Sequence, residues 1–324
     1  MQSARPPVYT AMKISVIIAC LNDPIELAKT VESCRLHTGG DFEIVIVDDD
    51  SSSPVMIFSP HVRIHRNKHR LGVGPSRHLA ACLATGEILF IVDSHCRFTT
   101  GWDEELRASL RANPTALICG SMIGFDSKTP FEHGKPYFGG DFNFFGPDRQ
   151  KAGKAQYFET VWRRVDPDPE PHAIPACLGA CYGALRNEYL RLGGLQYLRS
   201  WGEDEAVLSL KFWLCNGGVI LNPRLKIGHK FRTGKERVPF PIDQSHVMYN
   251  KLFAIHTLLP EDKARILVGK IPGNMVKTNA MKELMSNWGI VEAERQNNIR
   301  LADGKLAERF SSFLERFGIG FPRE

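Results

Sequence analysis

A mainly parallel α/β sheet flanked by helices, followed by a helical C-terminal part, is the architecture this sequence predicts. Two observations carry it. Short β-branched runs alternate with stretches of helical spacing through the first 120 residues, the pattern of a doubly wound sheet. Two of those runs also end on aspartate, at Asp48 and at Asp93, and ligands of such sheets bind beyond the carboxyl ends of the strands.

Residues 14–20 form a buried strand closed by Asn22, Asp23 and Pro24, a turn signal. Residues 24–37 place Leu27, Val31 and Leu36 at helical spacing and stop at Gly39 and Gly40. A second strand, 42–47, runs into Asp48, Asp49, Asp50 and three serines. A short strand at 62–65, a helix over 75–84, a strand at 87–92, a helix over 102–111 and a strand at 116–120 complete the alternation. Residues 121–175, rich in Gly, Pro and aromatics, read as a strand pair or long loop. After mixed structure over 176–232, the chain from about residue 254 reads as three helices, 256–268, 274–288 and 291–317. The division expected is 1–240 for the α/β domain and 241–324 for a helical extension.

The composition excludes disorder and low complexity: 43% of residues are hydrophobic and 24% charged, the balance of an ordinary folded chain. Forty-one Lys+Arg against 36 Asp+Glu leave +5, which suits an anionic ligand and falls short of a nucleic-acid signature. No window reaches the roughly 18 apolar residues of a membrane span, so no membrane span is expected. Residues 1–12 lack the apolar core of a signal peptide. Cys177 and Cys181 are four apart, not at zinc-ribbon spacing, and most of the eight cysteines sit in apolar runs. They read as reduced, buried small hydrophobes of a cytoplasm-like compartment.

Four segments carry candidate chemistry. Asp93 and His95, two apart at a strand end, put an oxygen and an imidazole on one side of an extended chain, a donor pair suited to Mn²⁺; a helix-capping Asp with a solvent-facing His is the alternative. The acidic run at 48–50 reads either as an acceptor for a base or ribose or as a capped turn. Trp201, Gly202, Glu203, Asp204 and Glu205 open an apolar-periodic run. Carboxylates there fit a helix dipole as well as a general base. His229 and Arg232, in Gly-His-Lys-Phe-Arg, add a second imidazole and a cation.

In this order the segments resemble the polypeptide N-acetylgalactosaminyltransferases, and more broadly family-2-like glycosyltransferases of the GT-A fold, over about 13–240. The resemblance rests on the strands beginning at Ile14 and Ile44, on Asp93-Ser-His95 with Gly101-Trp102 after it, and on Pro175 to Gly183. It rests also on Trp201-Gly202 with Trp213 and Cys215 downstream, and on Gly228-His229-Lys-Phe-Arg232. It implies Asp93, His95 and His229 as ligands of Mn²⁺ or another divalent cation. It implies Asp49, Arg70, Asp93, Gly179, Ala180 and Trp201 at the UDP-sugar donor, and Arg232 as a clamp on its diphosphate. Asp204 stands where the retaining family has a glutamate, Glu205 where it has an asparagine, and Arg97 where it usually has a glutamate. Glu203 and Asp204 also match the acidic pair of inverting family-2 enzymes, in which the aspartate is the base. Arg77 aligns with a family arginine and is assigned to structure first.

The implied function is metal-dependent transfer of GalNAc, GlcNAc or a hexose from a UDP-sugar to a hydroxyl of a protein Ser/Thr or a glycan, with retention. A hydroxylated base in DNA is the alternative acceptor, kept open by the basic run 63–70, and a non-catalytic sugar-nucleotide-binding protein is the alternative outside catalysis. The family's anchor and lectin repeats are not found in this sequence, which leads to the expectation of a cytoplasmic enzyme of phage or bacterial origin.

Overall fold

The computed structural model describes residues 12–145, 157–166, 168–179, 181–233 and 236–323. Its strands are β1 (Ile14–Cys20), β2 (Phe42–Asp48), β3 (Val62–Arg66), β4 (Ile88–Val92), β5 (Cys96–Phe98), β6 (Leu117–Phe125), β7 (Lys135–Tyr137), β8 (Gly140–Asn143), β9 (Glu159–Trp162), β10 (His172–Ala173), β11 (Cys181–Leu185) and β12 (Val219–Lys230). Its helices are α1 (Pro24–His37), α2 (Val73–Leu83), α3 (Trp102–Ala112), α4 (Arg186–Arg191), α5 (Asp204–Cys215), α6 (Gln244–Leu258), α7 (Glu261–Lys270), α8 (Met275–Ser286), α9 (Trp288–Leu301) and α10 (Leu306–Phe317).

The central sheet runs β10-β12-β6-β11-β4-β1-β2-β3. β1 pairs parallel with β2 and β4, β2 with β3, and β6 with β12. β11 lies between β4 and β6 and is antiparallel to both. The sheet is therefore mixed, mainly parallel, with helices on both faces. A fully buried strand reads the same in either direction, which is why apolar pattern alone leaves the orientation of β11 open.

Alternation along each strand sorts the core into two layers. Ile14, Val16 and Ile18 pack with Leu27 and Val31 of α1 and with Trp102, Leu106 and Leu110 of α3. Ile17, Val45 and Val47 face the other way, toward Ala80 and Ala81 of α2 and Leu208 and Phe212 of α5. That second layer continues without a break into Tyr249, Leu252, Leu258, Leu284, Val291 and Phe310 of the C-terminal helices. A buried ion pair, Lys211 Nζ to Glu294 Oε1 at 2.6 Å, ties α5 to α9.

The C-terminal helices differ from the expected spans. The helix expected over 256–268 is two helices, because Pro260 lacks an N–H and stands at the N-cap of α7 behind an extended Leu259. The first of them begins earlier, at Gln244, where the Asp243 side chain accepts from Ser245 N and His246 N. The span 291–317 is broken between α9 and α10 at Asp303 (φ 54°) and Gly304 (φ 74°). The strand pair read into 121–175 is β8 with β9, joined antiparallel. All eight cysteines are free, and all but Cys82 are buried. Among the described residues no helix is long and apolar enough to cross a membrane.

Candidate active site

A cleft of about 330 Å³ opens at the carboxyl ends of β1, β2 and β4, where Asp23, Asp49, Asp93 and His95 meet His229 and Arg232 of the β12 segment. Strand pairing explains the meeting. β5 follows β4 after three residues and pairs antiparallel with β12, with His229 opposite Cys96. The imidazole of 229 is thereby laid beside that of 95, 134 positions away in the chain, with ring centroids 4.8 Å apart.

Asp93, His95 and His229 each offer one ligand atom, and the three atoms lie within 4.8 Å of one another. His229 Nε2 is 3.1 Å from Asp93 Oδ2, and His95 Nε2 is 3.9 Å from the same oxygen. Burial works against the charge on Asp93, yet the Arg77 guanidinium, His229 and His95 hold its carboxyl well below the usual carboxylate range. Burial pushes His229 down, against its bond to Asp93, toward the neutral imidazole. One ionised carboxylate and a neutral imidazole are the protonation states a divalent cation needs, and the mixed O/N set suits Mn²⁺. The donor set fits such an ion.

The residues around this triad are held tightly. Arg77, 4% exposed, reaches Asp93 with one nitrogen; with the other it donates to Asp204 Oδ2 at 2.9 Å and to Tyr182 OH at 3.1 Å. Arg77 thus belongs to the centre of the site, which sequence reading assigned to structure first. Asp23 Oδ2 accepts from Arg232 Nη2 at 2.7 Å and lies 3.2 Å from His95 Nδ1. Burial raises the Asp23 carboxyl, and His95 and Arg232 more than reverse the shift, leaving it low.

Asp49, at the end of β2, accepts four bonds: from Asn67 Nδ2, Leu71 N, Ser76 Oγ and Gly72 N, all between 2.8 and 3.0 Å. Its oxygens are thus committed to shaping the 67–76 turn, although it borders the cleft. Asp48 binds Ser51 N, Val55 N and Arg66 in the same way. Gly72 (φ 107°) lets that turn touch Ser200, where a Cβ would come within 2.2 Å of a carbonyl oxygen. Arg70 donates to Pro241 O at 3.1 Å and lies over Phe240, 5.2 Å from the ring centroid.

Of the residues expected at the site, Asp49, Arg70, Asp93, His95, Trp201, His229 and Arg232 border the cleft. Two carboxylates are placed differently. Glu203, expected as a catalytic partner of Asp204, is turned to Lys251 of α6 at 3.3 Å. It takes a left-handed backbone (φ 68°) just before α5, so its side chain leaves in another direction from that of Asp204. Asp204 itself is 3% exposed and spent on Arg77. Gly179 (φ 90°) lies under Trp162 and Met122 rather than on the cleft wall. Ala180 lies outside the described residues. Glu205 is half-buried, and burial together with Asp204 raises its carboxyl. Arg97 binds Glu26 at 2.6 Å.

Two arginines of the basic run are paired with carboxylates of the same domain. Arg63 meets Glu43 and the Leu83 carbonyl, and Arg66 meets Asp48, Asp50 and Ser51 O.

Sequence reading missed Asp23, which it took as part of a turn, and Asn250 and Lys251 on α6, which carry no motif. Asn250, fully buried, donates to Arg199 O at 2.7 Å and Gly202 O at 2.9 Å and accepts from Arg199 N at 2.7 Å. It thereby fixes the loop that holds Trp201 against the cleft.

Residues 15–179 match the family model Glycosyl transferase family 2, about half of the chain. Among curated relatives, Polypeptide N-acetylgalactosaminyltransferase 3 of Drosophila melanogaster is 28% identical over 238 residues, 68% of this chain and 34% of the relative. N-acetylgalactosaminyltransferase 7 of the same organism is 31% identical over 237 residues, 68% and 39% respectively. The chain thus spans well under half the length of these relatives. They are animal proteins and lend no support to the expected phage or bacterial origin. A crystal structure of GalNAc-T7 with UDP, GalNAc and Mn²⁺ superposes with a TM-score of 0.63 at 20% identity, covering 84% of this chain and 55% of that one. Staphylococcus aureus TarS 1-349 in complex with UDP-GlcNAc superposes with a TM-score of 0.52 at 13% identity, covering 93% and 92%. These likenesses show the GT-A type of fold.

Proposed function

This chain belongs to glycosyl transferase family 2, and we propose that it moves a sugar from a UDP-sugar to a hydroxyl acceptor with a divalent cation, Mn²⁺, on Asp93, His95 and His229. The observation that carries the reading is the convergence of those three ligand atoms from two distant segments on the lining of the cleft. When bound, the cation neutralises charge on the diphosphate.

The chain's own groups do the rest. Arg232 and Arg70, at the cleft wall, supply fixed positive charge for the diphosphate and the nucleotide. Trp201, 44% exposed, and Phe240 give the cleft apolar walls for a base or sugar face. Arg77 holds Asp93 in place and keeps it ionised. The acceptor oxygen bonds to the anomeric carbon as that carbon parts from the diphosphate oxygen, and the acceptor proton goes to the departing diphosphate. Retention of configuration fits this course, since Asp204 is ion-paired with Arg77 and Glu203 with Lys251, leaving neither carboxylate free as a base. The relatives' names favour GalNAc as the sugar and a polypeptide hydroxyl as the acceptor. Residues 1–240 would form the catalytic unit, with 241–324 bracing it through Asn250 and Lys251.

The test is Mn²⁺-dependent hydrolysis of UDP-GalNAc, UDP-GlcNAc and UDP-glucose by the native chain, Asp93→Ala and His229→Ala. Both variants are expected to lose roughly 100-fold or more of the turnover, and chelation of the metal to do the same to the native chain. Native turnover in both variants overturns the metal assignment.

A further inference from the structure

We propose that Asp23 is a positioning residue that couples the metal-facing His95 to the cation Arg232. The inference rests on the metal reading above and adds to it a residue outside the ligand set. Asp23 occupies the N-cap of α1, where an aspartate ordinarily accepts a backbone N–H, yet its side chain makes no capping bond. The carboxylate is directed into the cleft instead. One oxygen, Oδ2, meets Ser94 Oγ at 3.1 Å, His95 Nδ1 at 3.2 Å and Arg232 Nη2 at 2.7 Å, and the side chain is 12% exposed.

The hydrogen-bond chemistry gives this arrangement a direction. An ionised carboxylate only accepts, so Nδ1 of His95 carries the proton and Nε2 keeps its lone pair. Nε2 is the atom that faces Asp93. Carboxylate–imidazole pairs of this kind set the tautomer and ring orientation of metal ligands, and losing the carboxylate weakens metal binding about 10–100-fold. His229 has no such support: its buried Nδ1 has no hydrogen-bond partner among the described residues. Orientation of the His95 imidazole therefore falls on Asp23, while His229 is held through its Nε2 contact with Asp93. The same oxygen anchors Arg232, so metal side and phosphate side of the cleft share one fixed point.

The experiment titrates the full chain with Mn²⁺ alone, reading free Mn²⁺ by electron paramagnetic resonance, and then with UDP at saturating Mn²⁺. Asp23→Asn keeps the size and removes the charge; Asp23→Glu keeps the charge. Asp23→Asn is expected to bind Mn²⁺ about 10–100-fold more weakly than the native chain and to bind UDP more weakly as well. Asp23→Glu is expected to recover a substantial part of the Mn²⁺ affinity, and both variants to melt close to the native chain without metal. Native Mn²⁺ affinity in Asp23→Asn overturns the proposal, as does equal loss in the two variants or unfolding of both. A native chain that takes up no Mn²⁺ removes the metal reading itself, and this inference with it.

Discussion

Replacing Asn250 by alanine tests whether a C-terminal helix holds the cleft together. Three short bonds are lost, at 2.7, 2.7 and 2.9 Å, and the Arg199 and Gly202 backbone groups lose a buried partner. At about 1 kcal/mol each, the loop loses about 3 kcal/mol of support. The same loop carries two non-glycine residues in left-handed geometry, Ser200 (φ 45°) and Glu203 (φ 68°), each costing about 1 kcal/mol or more. Release of that strain favours departure from the native loop. Three kcal/mol is about two decades in the equilibrium between held and released loop. UDP affinity at saturating Mn²⁺, by calorimetry, is expected to fall roughly 30–100-fold if the released loop cannot bind. Trypsin is expected to gain access to the bond after Arg199, read by mass spectrometry of the fragments. Native UDP affinity with an uncut loop would refute the argument.

Three further outcomes follow from the structure. Lys211→Met leaves Glu294 buried without its partner and is expected to cost about 3–5 kcal/mol in urea unfolding, while Lys211→Met with Glu294→Leu recovers most of it; equal losses in the single and double variants would contradict the pairing. Burial and Asp204 raise the Glu205 carboxyl, so its stabilising effect is full below the unfolded carboxylate pKa and is lost as pH rises toward the shifted value. Glu205→Gln is therefore expected to gain melting temperature relative to the native chain between pH 5 and pH 8, and a flat difference would count against it. Gly179→Ala puts a Cβ 2.8 Å from the Trp162 ring and 2.9 Å from Met122 Sδ at φ 90°, with a loss of about 2 kcal/mol or more expected in thermal melts.

Local pattern made much of this molecule legible. The strand at 14–20 and the helices at 24–37 and 102–111 were readable because alternation and helical spacing are properties of neighbouring residues. Breaks in the C-terminal helices were less readable: Pro260 marks one, but Asp303 and Gly304 end α9 through backbone geometry that composition alone does not mark strongly.

Residue order alone sets the donor types of the site: an Asp and a His at one strand end, a second His and an Arg far downstream. Their relations in space come from the folded chain. Pairing of β5 with β12 brought His229 beside His95, and the left-handed turn at Glu203 sent that carboxylate to Lys251 while Asp204 went to Arg77. Asp23 and Asn250 acquired their roles in the same way, through partners 72 and 51 positions away. Residue type and spacing act along the chain, whereas a charge or hydrogen bond acts through space over a few ångströms, and the fold alone sets which distant groups come that close.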